Sequence, residues 1–180
     1  MKSSWRVIAS GLLLAAAVWV FALREARQNG PPPPEWHVNA EAGFRIRPPT
    51  GWDNRTDDRD GSVLAPSTQP AEGFATLIVS TRLATDEDPM SYLRDVVVRP
   101  PSGPIRELEW LREEKTTMSD GSPAALGEFA QIYRGMPVHG WMLFTVRDGK
   151  LLQAVGTVPR SAATRAEATI LRAVKSVQTL

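Results

Sequence analysis

Two histidines, His37 and His139, are the only imidazoles in this chain of 180 residues, and there is no cysteine. An activated nucleophile needs a base beside a serine or cysteine, and a group that orients the base. A histidine metal site needs further ligands close by. His37 falls in a proline-rich linker, and His139 opens a strand beside Gly140 and Trp141. Structural or surface roles are expected for both. Asp53, Asp57, Asp58 and Asp60, followed by Gly61, have the composition of a calcium loop. Aligned on Gly61, the EF-hand register puts Thr56 at the first ligand and Ser67 where glutamate should close the site. Arg55 and Arg59 also offset the charge, so the run reads as a solvated hairpin loop. Glu107, Glu109, Glu113 and Glu114 lie among Arg106, Arg112 and Lys115. A glycosidase needs two carboxylates at a set separation; this run reads as a charged, exposed face.

Neither a glycine-rich phosphate loop nor a G-x-S-x-G elbow is present. The sequence therefore predicts no catalytic residue, no cofactor and no metal. Net charge of +1 supplies no basic field for nucleic acid. Among the aromatic residues, Trp141 with Met142, Leu143 and Phe144 reads as core. Trp110, set among charges beside a proline-rich loop that holds Pro100 and Pro101, is the candidate interaction surface, with a core role as the alternative.

The elements that must position these residues follow from periodicity. Phe44 to Arg47 alternates apolar and basic, as a half-buried strand does, and Pro48 to Gly51 stops it. A short strand near 62–65 pairs with an apolar strand over 74–83. Asp88-Pro89 starts a helix carrying Met90, Leu93, Val96 and Val97, and Pro100 ends it. Residues 99–109 read as a loop, and 110–118 as helix or strand. Strands follow over 126–133, 138–146 and 151–158, the last two joined by the hairpin signal Asp148-Gly149. A closing helix over about 162–177 has the stripe Ala163, Ala166, Ile170, Val174, Val177, with Ser161 or Thr164 as its cap. The expected fold class is α+β: a mostly antiparallel sheet of six to seven strands packed by two helices, in the order β-β-β, helix, β-β-β-β, helix.

Phe44-x-Ile46-x-Pro48-(x)2-Gly51-Trp52 resembles the opening strand and turn of the PsbP-like superfamily. The order of elements, the hairpin at Gly149-Lys150 and the ending Val174-Lys175-Ser176 also resemble it, over residues 40–180. The resemblance implies an α/β/α-type sandwich, with Phe44, Ile46, Pro48, Gly51 and Trp52 as a fold motif. It also implies a domain that binds other proteins rather than catalysing a reaction.

Residues 7–23 carry no charge, with Lys2 and Arg6 before them and Arg24, Glu25 and Arg27 after. Seventeen residues make a helix of roughly 26 Å, short for a bilayer core but within its range. The segment reads as a transmembrane signal-anchor. Alternatives are a signal peptide cleaved near Val20-Phe21-Ala22 and a buried helix. Residues 1–6 are then a cytoplasmic N-terminus and 24–39 a linker, in which Pro31 to Pro34 form a stiff stalk. The expected location is the plasma (inner) membrane, single-pass, with the C-terminal domain extracytoplasmic; the alternative is a secreted or periplasmic protein. The expected partners are the lipid bilayer, through 7–23, and an envelope protein. The expected role is a membrane-tethered, non-enzymatic interaction or accessory module. The alternative is a small-molecule or lipid-binding domain at the membrane surface.

Overall fold

The computed structural model describes residues 35–68, 75–98 and 105–180. The apolar segment 7–23, the stalk prolines, Pro100 and Pro101 lie outside the described residues. Among the described residues, no helix is long and apolar enough to cross a membrane. Pro34–Leu180 form one compact unit.

The strands are β1 (His37–Asn39), β2 (Phe44–Ile46), β3 (Trp52–Asp58), β4 (Gly61–Pro66) and β5 (Thr76–Leu83). Helix α1 (Pro89–Val98) follows, then β6 (Ile105–Thr117), β7 (Pro123–Tyr133), β8 (Met136–Arg147) and β9 (Lys150–Pro159). A single 3-10 turn (Arg160–Ala162), α2 (Ala163–Val174) and β10 (Gln178–Thr179) close the domain. Seven strands form one antiparallel sheet in the order β3-β4-β5-β9-β8-β7-β6. A second, small sheet has the order β1-β2-β10.

Both faces of the large sheet are apolar at its centre. On β8, Trp141 and Leu143 point one way while Met142 and Phe144 point the other, and all four are buried. Period two makes this unavoidable once apolar residues run consecutively. Trp141 and Leu143 share a core with Leu126, Leu77, Leu152, Ile170 and Val174 of α2, and with Phe44 and Ile46 of the small sheet. Met142 and Phe144 share the other with Phe129, Leu151, and Met90 and Leu93 of α1. Burying a large apolar side chain stabilises by about 1.5–3 kcal/mol. The helices sit on opposite faces, which is the α/β/α sandwich expected.

Several elements differ from expectation. Five strands, not three, precede the first helix, and β10 follows the last. Of the aspartate-rich run, Asp53, Asp57 and Asp58 lie on the edge strand β3, and only Asp60 lies in the expected hairpin turn. Six of the seven residues of β3 are exposed, so no apolar alternation marks it, and its charges discourage edge-to-edge pairing. Residues 105–109 belong to β6 rather than to a loop, and the ambiguous stretch 110–118 continues the same strand to Thr117. Two register shifts, between Arg106 and Glu109 and between Trp110 and Arg112, break the period-two pattern that would have revealed it. His37 lies in β1, not in a linker, so the domain starts before residue 40.

Helix α1 begins as expected: Asp88 Oδ1 accepts the Met90 N–H at 3.1 Å. Helix α2 does not. Its cap is Ala162, without a side-chain hydrogen bond, rather than Ser161 or Thr164. The preceding 3-10 turn supplies the entry, with the Ala163 N–H on the Arg160 carbonyl. The helix also ends at Val174 rather than near 177, although Val177 remains buried. The Asp148-Gly149 hairpin is present, with φ of 52° and 70°. Arg134-Gly135 makes a second turn of this kind.

Gly156 on β9 faces α2, and a Cβ there would lie 2.3 Å from Ile170 Cγ2. Gly156→Ala is expected to cost about 1–3 kcal/mol by overpacking. Thr169→Ala, at an exposed position of α2, should stay within about 0.5 kcal/mol. Urea melts of the full chain in mild detergent check this; equal midpoints for the two variants would refute the close packing of α2 on β9.

Candidate functional site

Strand pairing brings together a serine, a histidine and an aspartate. His37 Nε2 lies 3.1 Å from Asp57 Oδ1 and 3.1 Å from Ser62 Oγ. A catalytic relay sets the imidazole between the other two, one nitrogen to each. Here a single nitrogen faces both, and the Ser62 hydroxyl donates directly to Asp57. Ser62 is also 2% exposed, so no substrate reaches its oxygen. Asn39, also buried, donates to the Asp58 and Gly61 carbonyls at 2.9 Å each and to Ser62 Oγ at 3.1 Å. Asp58 Oδ1 accepts the backbone N–H groups of Asp60 and Gly61. Two aspartates of the calcium-like run thus serve the β3–β4 turn and fasten β1 to it. Among the described residues, no three His, Cys, Asp or Glu groups converge to hold a metal ion.

The second cluster spans three strands and a helix. His139 Nε2 on β8 lies 2.8 Å from Glu128 Oε1 on β7. Arg112 Nε on β6 is 3.3 Å from Glu128 Oε2, and the guanidinium reaches Glu114 and, on α2, Glu167 at 4.0 Å each. The His139 ring packs on Trp141 at 4.8 Å between centroids. Both carboxylate oxygens of Glu128 are occupied, one by imidazole and one by guanidinium. The cluster ties the edge strand β6 to β8 and α2. Sequence reading missed it because its members lie on four separate elements, joined only by pairing.

Trp110 packs beneath α1. Its ring meets Phe129 edge-on at 5.7 Å, and a Cβ on Gly127 would strike it at 2.6 Å. The indole therefore serves the second core, with partial exposure, and its exposed neighbour on the edge strand is Leu111. The fold motif behaves as a structural unit. Phe44 and Ile46 are 0% exposed, Pro48 is half-buried and Gly51 has φ of 77°. The Trp52 N–H bonds to the Pro49 carbonyl at 3.1 Å, and its ring packs on the main core.

A cleft of about 440 Å³ opens between Ala84–Glu87 and the β8–β9 hairpin at Val146–Gly149. Asp86, Glu87, Asp148 and Arg147 line it. The Asp88 N–H, at 2.9 Å, and then the Ser91 hydroxyl hold the Asp86 carboxyl below its usual range. Its walls are polar, unlike the enclosed apolar pocket that a lipid chain needs. Behind it, Arg147 Nη1 pairs with Asp120 Oδ2 at 2.7 Å. Hydrogen bonds from the Ser122 N–H and hydroxyl, and then the Arg147 charge, hold the Asp120 carboxyl below its ordinary value.

No family model matches the sequence, and no curated protein matches it. Solved structures do. Cyanobacterial PsbP (CyanoP) from Synechocystis sp. PCC 6803 is 14% identical, with a TM-score of 0.61 over 81% of this chain and 92% of that one. A protein of Bacteroides thetaiotaomicron VPI-5482 is 12% identical, with a TM-score of 0.56 over 82% of this chain and 49% of its own. LpqN of Mycobacterium tuberculosis, described as involved in cell envelope biogenesis, is 15% identical, with a TM-score of 0.50 over 84% and 88%. The chain has a PsbP-like fold. At these identities the likeness is one of architecture.

Two measurements test the polar groups. A carboxyl held low in the folded state stabilises above its unfolded value of about 3.9 and loses that contribution as pH falls through the lower folded value. Asp120→Asn should therefore lower Tm by a few degrees at pH 7, the gap from wild type closing as pH falls below the unfolded value. A gap unchanged across that range would show that the Asp120 charge is not its source. For the second cluster, Glu128→Ala and His139→Ala should couple by about 1 kcal/mol in a double-mutant cycle. Additive effects would mean that the pair holds nothing together.

Proposed function

We propose that this protein is a membrane-tethered, extracytoplasmic, non-enzymatic module that binds an envelope protein. The fate of the two histidines carries the reading. Each has its Nε2 on a carboxylate with a second partner of its own, so both clusters fasten strands instead of presenting a reactive group. The charge-free segment 7–23 supports the tether. The architectural likeness to LpqN, an envelope-biogenesis protein, agrees with that compartment.

The partner surface we assign is the outer edge of β6, along which no strand pairs among the described residues. It runs for 13 residues, and an edge strand of that length suits strand addition. Leu111, 44% exposed, gives it an apolar contact, and Trp110 stiffens it from behind. The opposite edge, β3, is short and charge-lined.

Because the chain lacks cysteine, Thr169→Cys creates one labelling site on α2. In intact spheroplasts it should react with a membrane-impermeant maleimide; reaction only after lysis would place the domain in the cytoplasm and sink the topology. A photo-crosslinking residue at Leu111 should yield a discrete protein adduct in native membranes, and the same residue at Thr169 should not. Identical patterns from both positions would remove the β6 edge as the partner surface.

A further inference from the structure

The small sheet has one buried and one open face. Asn39, Phe44 and Ile46 point into the domain and are buried. The alternate positions, Val38, Arg45 and Arg47, are exposed. Val38 stands opposite Arg45 on one side, and Gln178 on the other. Trp36 lies against this face: the Arg45 and Arg47 guanidinium carbons are 4.5 and 4.4 Å from its ring centroid. Arg45 also donates from Nε and Nη2 to Gln178 Oε1 at 3.0 and 2.8 Å.

We infer that this face, formed by Trp36, Val38, Arg45 and Arg47, rests on the bilayer and binds the phosphates of anionic lipid headgroups. The inference rests on the proposed tether and adds a surface to it.

Three observations converge. First, the guanidiniums are free of carboxylates. Arg112 and Arg147 each meet at least one, whereas among the described residues no ion pair involves Arg45 or Arg47. Glu35 is exposed beside Trp36 and reaches neither. Second, the arginines are pre-oriented. Both lean on one indole, which restrains their side chains by cation–π contact and leaves N–H donors for an oxyanion. A guanidinium fork matches a phosphate with two parallel hydrogen bonds. Tryptophan favours the headgroup level, where one part of the ring is wet and another apolar, and Val38, 50% exposed, adds apolar contact. Third, the chain outside the structure arrives here. Residues 24–35 separate the apolar segment from Trp36, a stretch that reaches at most about 40 Å fully extended. This surface is thus the part of the domain with the shortest leash to the bilayer.

The test uses the full chain, with single cysteines at Val38→Cys and at Thr169→Cys, each carrying an environment-sensitive fluorophore. The protein is reconstituted into phosphatidylcholine vesicles with and without phosphatidylglycerol, no other protein being present. Flotation comes first: chains that fail to float with either vesicle refute the tether, and the present inference with it. For chains that float, the label at 38 should be quenched by headgroup-region spin-labelled lipid when phosphatidylglycerol is present, while the label at 169 stays unquenched. Arg45→Gln with Arg47→Gln should weaken that quenching at least about fivefold, near what one basic residue contributes at an anionic surface. Floating chains with equal responses at 38 and 169 would overturn the docking face and leave the tether standing. Quenching at 38 that ignores phosphatidylglycerol would overturn phosphate recognition.

Discussion

Strand β8 has no polar face to offer water at its centre. Trp141 and Leu143 look one way, Met142 and Phe144 the other, and the four are consecutive. A strand of this kind is stable only as an interior strand with a layer on each side. Helix α1 is one of those layers, and α2 with the small sheet is the other. The glycines follow from the same demand. Gly156 lets Ile170 approach β9, and Gly140 leaves room for the Phe129 ring, which a Cβ would meet at 2.3 Å. Room for a neighbouring side chain, from the helix layer at Gly156 and from the paired strand β7 at Gly140, rather than turn geometry, is the reason for glycine at both places.

Polar chemistry adds to the apolar core in joining these elements. The small sheet touches the large one through His37, Asn39, Asp57 and Ser62. At its other end the Arg47 N–H meets Ser176 Oγ at 2.9 Å, and that hydroxyl donates to the Ala173 carbonyl at 2.7 Å. Lys175 Nζ meets Thr116 Oγ1 at 2.9 Å, and Ser119 Oγ donates to the Lys175 carbonyl at 2.7 Å. The segment after α2 therefore fastens helix, small sheet and the end of β6 together. Buried polar groups are costly unless paired, and these are paired across elements distant in sequence. That is a structural use of residue types which also serve catalysis.

Two surfaces carry the proposals made above. Among the described residues no strand pairs with the outer edge of β6, and the small sheet exposes two arginines held by a tryptophan. Neither is a concave pocket of the kind that encloses a small substrate.

Sequence alone was enough for the elements whose burial is periodic. The α1 stripe of Met90 and Leu93, the α2 stripe of Ala163, Ile170 and Val174, the strands β5, β7, β8 and β9, and the Asp148-Gly149 hairpin all announce themselves by spacing. The PsbP-like motif did the same for β2 and its turn, because Phe44, Ile46, Gly51 and Trp52 are local in effect. Strands β3 and β6 were illegible for opposite reasons: β3 buries almost nothing, and β6 is shifted twice by irregular pairing. The clusters of His37 with Asp57 and Ser62, of His139 with Glu128 and Arg112, and of Trp36 with Arg45 and Arg47 came from tertiary structure. Periodicity records what each residue does for its own strand or helix; ion pairs, buried hydrogen bonds and cation–π contacts form between elements, and only the pairing order of the sheets decides which ones meet.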